Sequence, residues 1–362
     1  MKKKLAILGI VGLPSNYGGF ESFAEQLVQR LWDDYEVTVF CQRSAYREHS
    51  GTFCGKVTLR YLPFKANGIW SIPYDMLGML KALRFADTLL VLGVSGCVLL
   101  PFLRLLGCRK RIVVNIDGIE WKRAKWSGFA RWFLHFSERC AVKYADAVVG
   151  DNQVIVDYVK EAYRRPCHLL EYGADDTAPG QAPGEEAHVA PSPLAGEFAF
   201  GVCRIEPENN VHLILEAFGE GGMPMPLVMV GNWQRSDYGR NLRETYGSRP
   251  GITLLDPIYD QGKLNAYRGN CALYLHGHSC GGTNPSLVEA MYLNLPIAAY
   301  DCNFNRETTE NKALYFSSAQ ELRKHIRETP PEARRRIAQA MGEIARRRYT
   351  WKRIAQGYAD LF

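Results

Sequence analysis

Short apolar runs alternate with amphipathic stretches along almost the whole chain. In the first half, the runs predict strands at residues 5–10, 36–41, 57–62, 88–92, 111–116, 147–150 and 167–170. Helical periodicity between them predicts helices at residues 20–31, 74–85, 97–106, 126–144 and 152–162. Continuously apolar strands spaced by helices of this length are typical of βαβ units and a buried parallel sheet.

The alternation is interrupted once and then resumes. Residues 174–196 are rich in Pro, Gly and Ala without any period, which predicts a linker or flexible loop. Strands are then predicted at residues 198–204, 226–231, 252–257, 271–276, 296–300 and 313–316. Helices are predicted at residues 210–218, 237–246, 262–268, 284–294, 319–328, 334–348 and 351–362. We therefore expect two doubly wound α/β domains, 1–173 and 197–349, facing across a cleft, with a final helix at 350–362.

Composition is consistent with a cytoplasmic globular protein. The 362 residues are 47% hydrophobic and 23% charged, and the ten cysteines include no Cys-x-x-Cys pair, which favours a reducing compartment over a disulfide framework. The longest apolar stretch, residues 88–106, is interrupted by Gly93, Gly96 and Pro101. A membrane span needs about 20 apolar residues. We therefore interpret this stretch as strand, turn and helix.

The segment 276–291 carries the strongest functional signal. It follows an apolar run and leads into an amphipathic one, so it predicts a strand, a glycine loop and the start of a helix. Amide N–H groups and the positive helix end at such a junction bind phosphate oxygens, and Gly281 and Gly282 allow close approach of an anion. Glu289 could accept hydrogen bonds from sugar hydroxyls. The segment predicts a site for a diphosphate that carries a sugar.

Two further features point to phosphate. Gly18 and Gly19 stand at a predicted helix start, but their loop has neither Gly-x-Gly-x-x-Gly spacing nor a Gly-Lys-Ser/Thr ending. The loop either presents amides to the reacting phosphate or is an ordinary glycine turn. Arg204 ends a predicted strand, where a guanidinium suits a bidentate hold on phosphate, and the alternative is a surface arginine.

Candidates for chemistry at the acceptor follow the strand at 111–116. Asp117 is placed to orient or deprotonate an acceptor hydroxyl, or it closes an Asx turn. Glu120 shares that task or starts the next helix. His276 and His278 point to one side of a strand, but no third ligand lies near in sequence, so we predict no metal and expect His278 to bond the donor sugar.

Residues 104–143 contain ten Lys and Arg against three acids, with aromatic residues interleaved. Basic and aromatic residues together suit an anionic membrane surface. Nucleic acid is a rival partner without a recognised binding module, and a helix with a buried aromatic face and a solvated basic face is the plain alternative. The acceptor and membrane candidates are Glu120, Trp121, Lys122, Arg123, Lys125, Trp126 and Arg131.

Four motifs carry a family resemblance. They are Asn-Tyr-Gly-Gly-Phe-Glu at 16–21, Asn-Ile-Asp-Gly-Ile-Glu-Trp-Lys-Arg at 115–123, Cys-Arg-Ile-Glu-Pro-Glu-Asn-Asn at 203–210, and Gly-His-Ser-Cys-Gly-Gly-Thr-Asn-Pro-Ser-Leu-Val-Glu-Ala-Met at 277–291. In this order they resemble retaining glycosyltransferases of family 4, which have the GT-B fold, and within them bacterial rhamnosyltransferases of polysaccharide assembly. The final helix is then expected to pack back on the N-terminal domain.

The resemblance implies a hexosyltransferase and a set of roles. It implies that rhamnose moves from dTDP-rhamnose, without a metal or other cofactor, to a glycan or polyprenyl-diphosphate-linked acceptor at the inner membrane. Catalytic Arg204 would neutralise the leaving diphosphate, with Asp117 beside the acceptor. Gly18 and Gly19 would face the phosphates, and Glu289 would contact the ribose. The remaining donor-binding candidates are Asn209, His278, Gly281, Gly282, Thr283, Asn284, Pro285 and Ser286.

Two residues depart from the wider family pattern. Gly281 stands where the family has a sugar-binding glutamate, and Asn209 stands where it has a lysine. A 6-deoxy sugar bound partly through its methyl group is compatible with the first change. Two other functions stay open from the sequence: a nucleotide-sugar epimerase on the same scaffold, and a non-catalytic peripheral membrane protein.

Overall fold

The computed structural model describes residues 2–15, 18–46, 48–123, 126–177 and 190–362. Contacts divide the chain into two compact units. Unit 1 comprises Met1–Tyr172 together with Trp351–Phe362, and unit 2 comprises Gly173–Thr350. Most of the predicted linker, residues 178–189, lies outside the described residues, as does Lys125.

Unit 1 contains one sheet whose central strands are buried. Its strands are β1 Lys3–Leu8, β2 Tyr35–Gln42, β3 Thr52–Phe53, β4 Val57–Leu62, β5 Thr88–Leu92, β6 Arg111–Asn115, β7 Ala147–Gly150 and β8 His168–Leu169. The order is β3-β4-β2-β1-β5-β6-β7-β8, parallel except for the β3–β4 pair. All five residues of β5 are buried, which explains why this strand is apolar from Leu89 to its end.

The helices of unit 1 lie on both faces of this sheet. They are α1 Gly19–Leu31, α2 Ser71–Ala82, α3 Leu100–Leu105, α4 Gly128–Tyr144 and α5 Gln153–Tyr163, with a 3₁₀ turn at Glu120–Lys122. The connections from β4 to β8 step across the sheet in one direction, so right-handed crossovers put α2 to α5 on one face. The connection from β1 to β2 steps the other way and puts α1 on the opposite face.

Unit 2 is a doubly wound parallel sheet. Its strands are β9 Ala199–Val202, β10 Leu227–Val230, β11 Ile252–Leu255, β12 Leu273–His276, β13 Ile297–Tyr300 and β14 Leu314–Phe316, in the order β11-β10-β9-β12-β13-β14. The direction of winding reverses between β9 and β12, which is the topological switch point where such sheets bind ligands. Its helices are α6 Val211–Gly219, α7 Asp237–Tyr246, α8 Gln261–Gly269, α9 Pro285–Tyr292, α10 Asn303–Thr308, α11 Ala319–Glu328 and α12 Pro331–Arg348.

Several helices of unit 2 begin at a capping side chain. The side chains of Ser236, Asp260 and Ser318 accept hydrogen bonds from the amides of Gly239, Lys263 and Glu321. Such caps satisfy amides that have no partner within the helix and contribute about 1 kcal/mol each. They explain why the predicted starts of these helices agree with the structure to within two residues.

The last helix, α13 Trp351–Leu361, belongs to unit 1. The ring of Phe23 in α1 lies 5.2 Å from that of Tyr358 and 5.9 Å from that of Trp351. Aromatic pairs at these distances stabilise packing beyond the area they bury. The prediction that the final helix packs back on the N-terminal domain is confirmed.

Some boundaries and two short elements differ from the prediction. Strand β1 ends at Leu8 rather than at residue 10, because Gly9 takes a φ of +96° and its α-carbon approaches the Leu92 carbonyl too closely for a side chain. Strand β3 and helix α10 were not predicted, since two residues and a polar hexapeptide give no periodic signal. Within the described ranges, no helix is long and apolar enough to cross a bilayer.

Candidate active site

Two loops meet at the switch point of unit 2. The loop after β9 and the loop after β12 are joined by the Asn210 Nδ2 group, which donates to the Gly277 carbonyl at 2.9 Å, and by Ser279, whose hydroxyl donates to the Glu208 carbonyl at 2.8 Å. A Cβ atom on Gly277 would lie 2.1 Å from the Asn209 carbonyl oxygen. Only glycine permits this approach. The fold therefore brings together the motifs at 203–210 and 277–291.

Arg204 is exposed on the first of these loops. Asn209, which is 2% exposed, donates from its Nδ2 atom to the Arg204 carbonyl at 2.7 Å. The guanidinium of Arg204 forms no ion pair with any residue that the structure describes. The exposed guanidinium of Arg204 is available to a phosphate. The buried side chain of Asn209 stabilises the loop through its hydrogen bond to the Arg204 carbonyl.

The second loop leads into α9. Gly281 has a φ of +106°, and Gly282 and Thr283 behind it are buried. Asn284 occupies the N-cap of α9 and Pro285 its first position. Because proline has no N–H, the first amide of the helix is that of Ser286. The loop that carries Arg204 contacts the loop that leads into α9, and the positive end of this helix suits an anion.

Glu289 of α9 meets a residue that sequence reasoning missed. The Arg268 Nη2 atom on α8 lies 2.6 Å from the Glu289 Oε2 atom. Burial raises the pKa of Glu289, and the charge of Arg268 opposes that rise. Arg268 is 1% exposed and also donates from Nη1 to the Asn265 Oδ1 atom at 2.8 Å. No local pattern signals this pair, because its members lie on different helices 21 residues apart in the chain.

The two histidines at the end of β12 stack on each other. The rings of His276 and His278 have centroids 4.4 Å apart and an interplanar angle of 13°. His276 is 1% exposed, and its burial, followed by the nearby His278, holds its pKa well below the usual value. His276 is therefore neutral at physiological pH. The described residues contain no group of three His, Cys, Asp or Glu side chains placed to hold a metal ion.

In unit 1 the loop between β1 and α1 is held by two carboxylates. The amide of Val11 donates to the Glu21 Oε1 atom at 2.7 Å, and the amide of Ser15 donates to the Glu25 Oε2 atom at 2.6 Å. Gly18, with a φ of +127°, and Gly19 are exposed at the start of α1. The glycine pair thus stands at an exposed helix start; residues 16–17 of the motif lie outside the described chain.

Asp117 follows β6 in a strained conformation. Its φ is +60°, a region that costs a residue with a side chain about 1–2 kcal/mol and is found at functional sites. Its amide donates to the Asn115 Oδ1 atom at 2.9 Å, and the Asn115 Nδ2 atom donates to the Tyr358 hydroxyl at 2.8 Å. The Asx turn is therefore formed by Asn115, and α13 stabilises it through the Tyr358 hydroxyl.

The residues after Asp117 mostly bind one another. The carboxylate of Glu120 accepts from Arg123 Nη1 at 2.7 Å and from Trp126 Nε1 at 3.0 Å. Trp121 packs its ring 4.4 Å from that of His135 and lies within 3.4 Å of the buried Glu138 carboxylate. These contacts give Glu120, Trp121, Arg123 and Trp126 structural roles in this loop. Lys122 and Arg131 are exposed.

Three other aromatic residues face solvent on α4. Phe129, Trp132 and Phe136 are 74%, 61% and 46% exposed, and we call them the α4 stripe. Their spacing places them on one side of the helix, and the Trp132 and Phe136 rings stack with centroids 5.9 Å apart. The only acid of α4, Glu138, is buried, whereas its exposed charges are cationic. The alternative of a wholly buried aromatic face is wrong for these residues.

Comparison with known families agrees with this geometry. Residues 186–348 match the family described as "Glycosyl transferases group 1". Over these residues the chain is similar to group 1 glycosyltransferases. Residues 2–175 match the family described as "Domain of unknown function (DUF1972)". No curated protein is significantly similar to the sequence.

Solved structures share the architecture of this protein. Sucrose-phosphate synthase of Thermosynechococcus elongatus superposes with a TM-score of 0.78 at 14% identity, over 99% of this chain and 98% of that one. HepE of Anabaena in complex with UDP gives 0.72 at 17% identity, over 99% of both chains. Trehalose 6-phosphate synthase of Burkholderia multivorans gives 0.67 at 14% identity, over 100% and 96%. At these identities the likeness shows the fold, and the GT-B prediction is confirmed.

Proposed function

We propose that this glycosyltransferase transfers a sugar from a nucleoside diphosphate to a glycan or lipid-linked glycan acceptor, with retention of anomeric configuration, as in family 4. The observation that supports the proposal is the contact between two loops at the switch point of unit 2: the loop that carries exposed Arg204 and the loop that leads into α9. The Anabaena structures contain UDP and UDP-glucose, which supports a donor of this class.

The site chemistry follows from the leaving group. The bond between the anomeric carbon and the phosphate oxygen breaks, so positive charge develops on the sugar and negative charge on the diphosphate. Arg204 and the amides at the start of α9 are fixed donors that stabilise the developing negative charge. The acceptor oxygen bonds to the anomeric carbon on the face the diphosphate leaves, and its proton passes to the leaving phosphate oxygen. No carboxylate nucleophile is required, in contrast to retaining glycosidases.

Rhamnose carried by dTDP is the donor that the sequence favours. Gly281 offers no carboxylate where related enzymes hold the sugar hydroxyls, and its φ of +106° is a backbone conformation that favours glycine. A 6-deoxy sugar has one hydroxyl fewer to satisfy than glucose. Asp117, held in its strained turn, is proposed to orient the acceptor hydroxyl in unit 1.

The acceptor is proposed to be a glycan, carried by a polyprenyl diphosphate at the inner face of the membrane during assembly of a surface polysaccharide. The exposed α4 stripe with its cationic neighbours supports peripheral binding there. Aromatic side chains settle at the membrane interface, and each nearby Lys or Arg contributes about 1 kcal/mol on an anionic surface.

Turnover of dTDP-rhamnose and UDP-glucose, with a lipid-linked glycan acceptor, tests the proposal. We expect dTDP to be released only when acceptor is present, and we expect Arg204→Ala to lose turnover. NMR of the product should show the same anomeric configuration as the donor, α from an α-configured donor and β from a β-configured one. Interconversion of nucleotide sugars without release of nucleoside diphosphate would instead establish an epimerase. Membrane binding without any turnover would establish a non-catalytic protein.

A further inference from the structure

The Glu289 carboxylate has two oxygens in different surroundings. Oε2 lies 2.6 Å from the Arg268 guanidinium, and that arginine side chain is only 2% accessible. The Glu289 side chain itself is 27% accessible. Oε2 is therefore paired with a buried group, whereas Oε1 accepts no hydrogen bond from a residue that the structure describes.

Arg268 is fixed in this position by a second set of contacts. Its Nη1 atom donates to the Asn265 Oδ1 atom at 2.8 Å, and the Asn265 Nδ2 atom donates in turn to the Thr177 carbonyl at 3.1 Å. A buried guanidinium that left its carboxylate would remain as an uncompensated charge. Breaking the ion pair is therefore costly, and a ligand meets a carboxylate with one oxygen already paired.

The number of donors that a nucleoside offers differs between ribose and deoxyribose. A ribose has two neighbouring O–H groups, at C2′ and C3′, which match a carboxylate with both oxygens available. A 2′-deoxyribose has only the O3′–H group, which matches a carboxylate with one oxygen available. Arg268 supplies the donor that the second hydroxyl would otherwise supply.

We infer that Arg268 is a specificity-determining positioning residue that makes the donor site indifferent to the 2′-hydroxyl, so that 2′-deoxynucleoside diphosphates bind as well as ribonucleoside diphosphates. The inference rests on the proposed function, and it takes Glu289 to meet the nucleoside sugar, as the family resemblance implies. It deepens that proposal by giving a structural reason for a deoxynucleotide donor.

Calorimetric titration of the full chain with UDP, 2′-deoxy-UDP and 3′-deoxy-UDP tests the inference, since these ligands differ by single hydroxyls. We expect UDP and 2′-deoxy-UDP to bind within about twofold of each other. Binding of 3′-deoxy-UDP should be about tenfold weaker or more, because a hydrogen bond to a charged group is lost. In Arg268→Gln, Oε2 becomes available to O2′–H, and UDP should bind about tenfold more tightly than 2′-deoxy-UDP.

The matched control is Arg243→Gln, which removes an exposed ion pair to Asp256 in the same unit and should leave all ligand ratios unchanged. Arg268→Lys keeps the buried charge and should keep the wild-type ratio, which covers the case in which Arg268→Gln does not fold. Wild-type binding of 2′-deoxy-UDP tenfold weaker than UDP overturns the inference alone, as does an unchanged ratio in folded Arg268→Gln. Absence of binding by all three ligands overturns the proposed function and the inference with it.

Discussion

The hydrogen bond from Asn115 to Tyr358 offers a direct test of how α13 supports the turn that holds Asp117. Tyr358→Phe removes only the hydroxyl, so the ring keeps its packing against Phe23. Asn115 is 2% exposed, and its Nδ2 atom then loses its hydrogen-bond acceptor. An unsatisfied buried donor costs about 1–3 kcal/mol. For a unit of this size, that corresponds to a fall in melting temperature on the order of 5 °C.

The same change should reach the reaction, because Asn115 also accepts the amide hydrogen bond of Asp117 at 2.9 Å. If this turn becomes less ordered at a cost of about 1 kcal/mol, we expect kcat to fall roughly fivefold. The KM for the nucleotide sugar, whose proposed site lies in unit 2, should be unchanged. Thermal unfolding and initial rates of nucleoside diphosphate release measure the two effects.

Tyr35→Phe is the matched control for this variant. Its hydroxyl also reaches α13, at the Ala359 carbonyl 3.4 Å away, but it has no link to Asp117. We expect a loss below about 1 kcal/mol and an unchanged kcat. Equal stability and equal kcat in Tyr358→Phe and wild type would refute the idea that α13 supports the turn.

Three further variants test other parts of the molecule. Arg204→Ala should lower kcat at least a hundredfold, because charge stabilisation of the transition state is lost. Arg249 is an exposed arginine that precedes β11, and Arg249→Ala should leave kcat unchanged. An equal kcat in Arg204→Ala and wild type would show that Arg204 has no part in the mechanism. Serine at all three positions of the α4 stripe should abolish flotation of the protein with anionic vesicles. Tyr259→Ser, at an exposed aromatic residue of unit 2, should leave flotation unchanged. Flotation of the triple serine variant would contradict the proposed membrane contact. The pKa of His276 is lowered in the folded state, so below pH 6.5 the unfolded state binds more protons and the free energy of unfolding falls by up to about 1.4 kcal/mol per pH unit. We expect His276→Phe to weaken this pH dependence, measured by denaturant titrations at pH 7.5 and 5.5. An equal change in the free energy of unfolding between these pH values in the variant and wild type would contradict the prediction.

The parallel sheets were predictable because their strands are apolar on both faces. Strand β12 and its glycine loop show this well: the run before His276 is uninterrupted, and the glycines after it permit no regular element. The family resemblance implied that the loops after β9 and β12 act on one diphosphate, and the observed winding order places these two strands side by side.

What the sequence could not give are contacts between distant segments. Arg268 and Tyr358 lie in helices whose local pattern is that of ordinary packing, and only the fold sets them against Glu289 and Asn115. The direction of aromatic side chains was equally hidden. Trp121 turns towards Glu138 while Trp132 faces solvent, although both occur in the same basic and aromatic stretch.

The membership of α13 in unit 1 has a consequence for biosynthesis. Because this helix is translated after Gly173–Thr350, unit 1 cannot be completed until that whole segment has been synthesised. The second unit is contiguous and can finish folding first, which reverses the usual N-to-C order. A stalled or clipped chain that lacks residues 351–362 would therefore expose the apolar surface around Phe23 to chaperones and proteases, even though its second unit is complete.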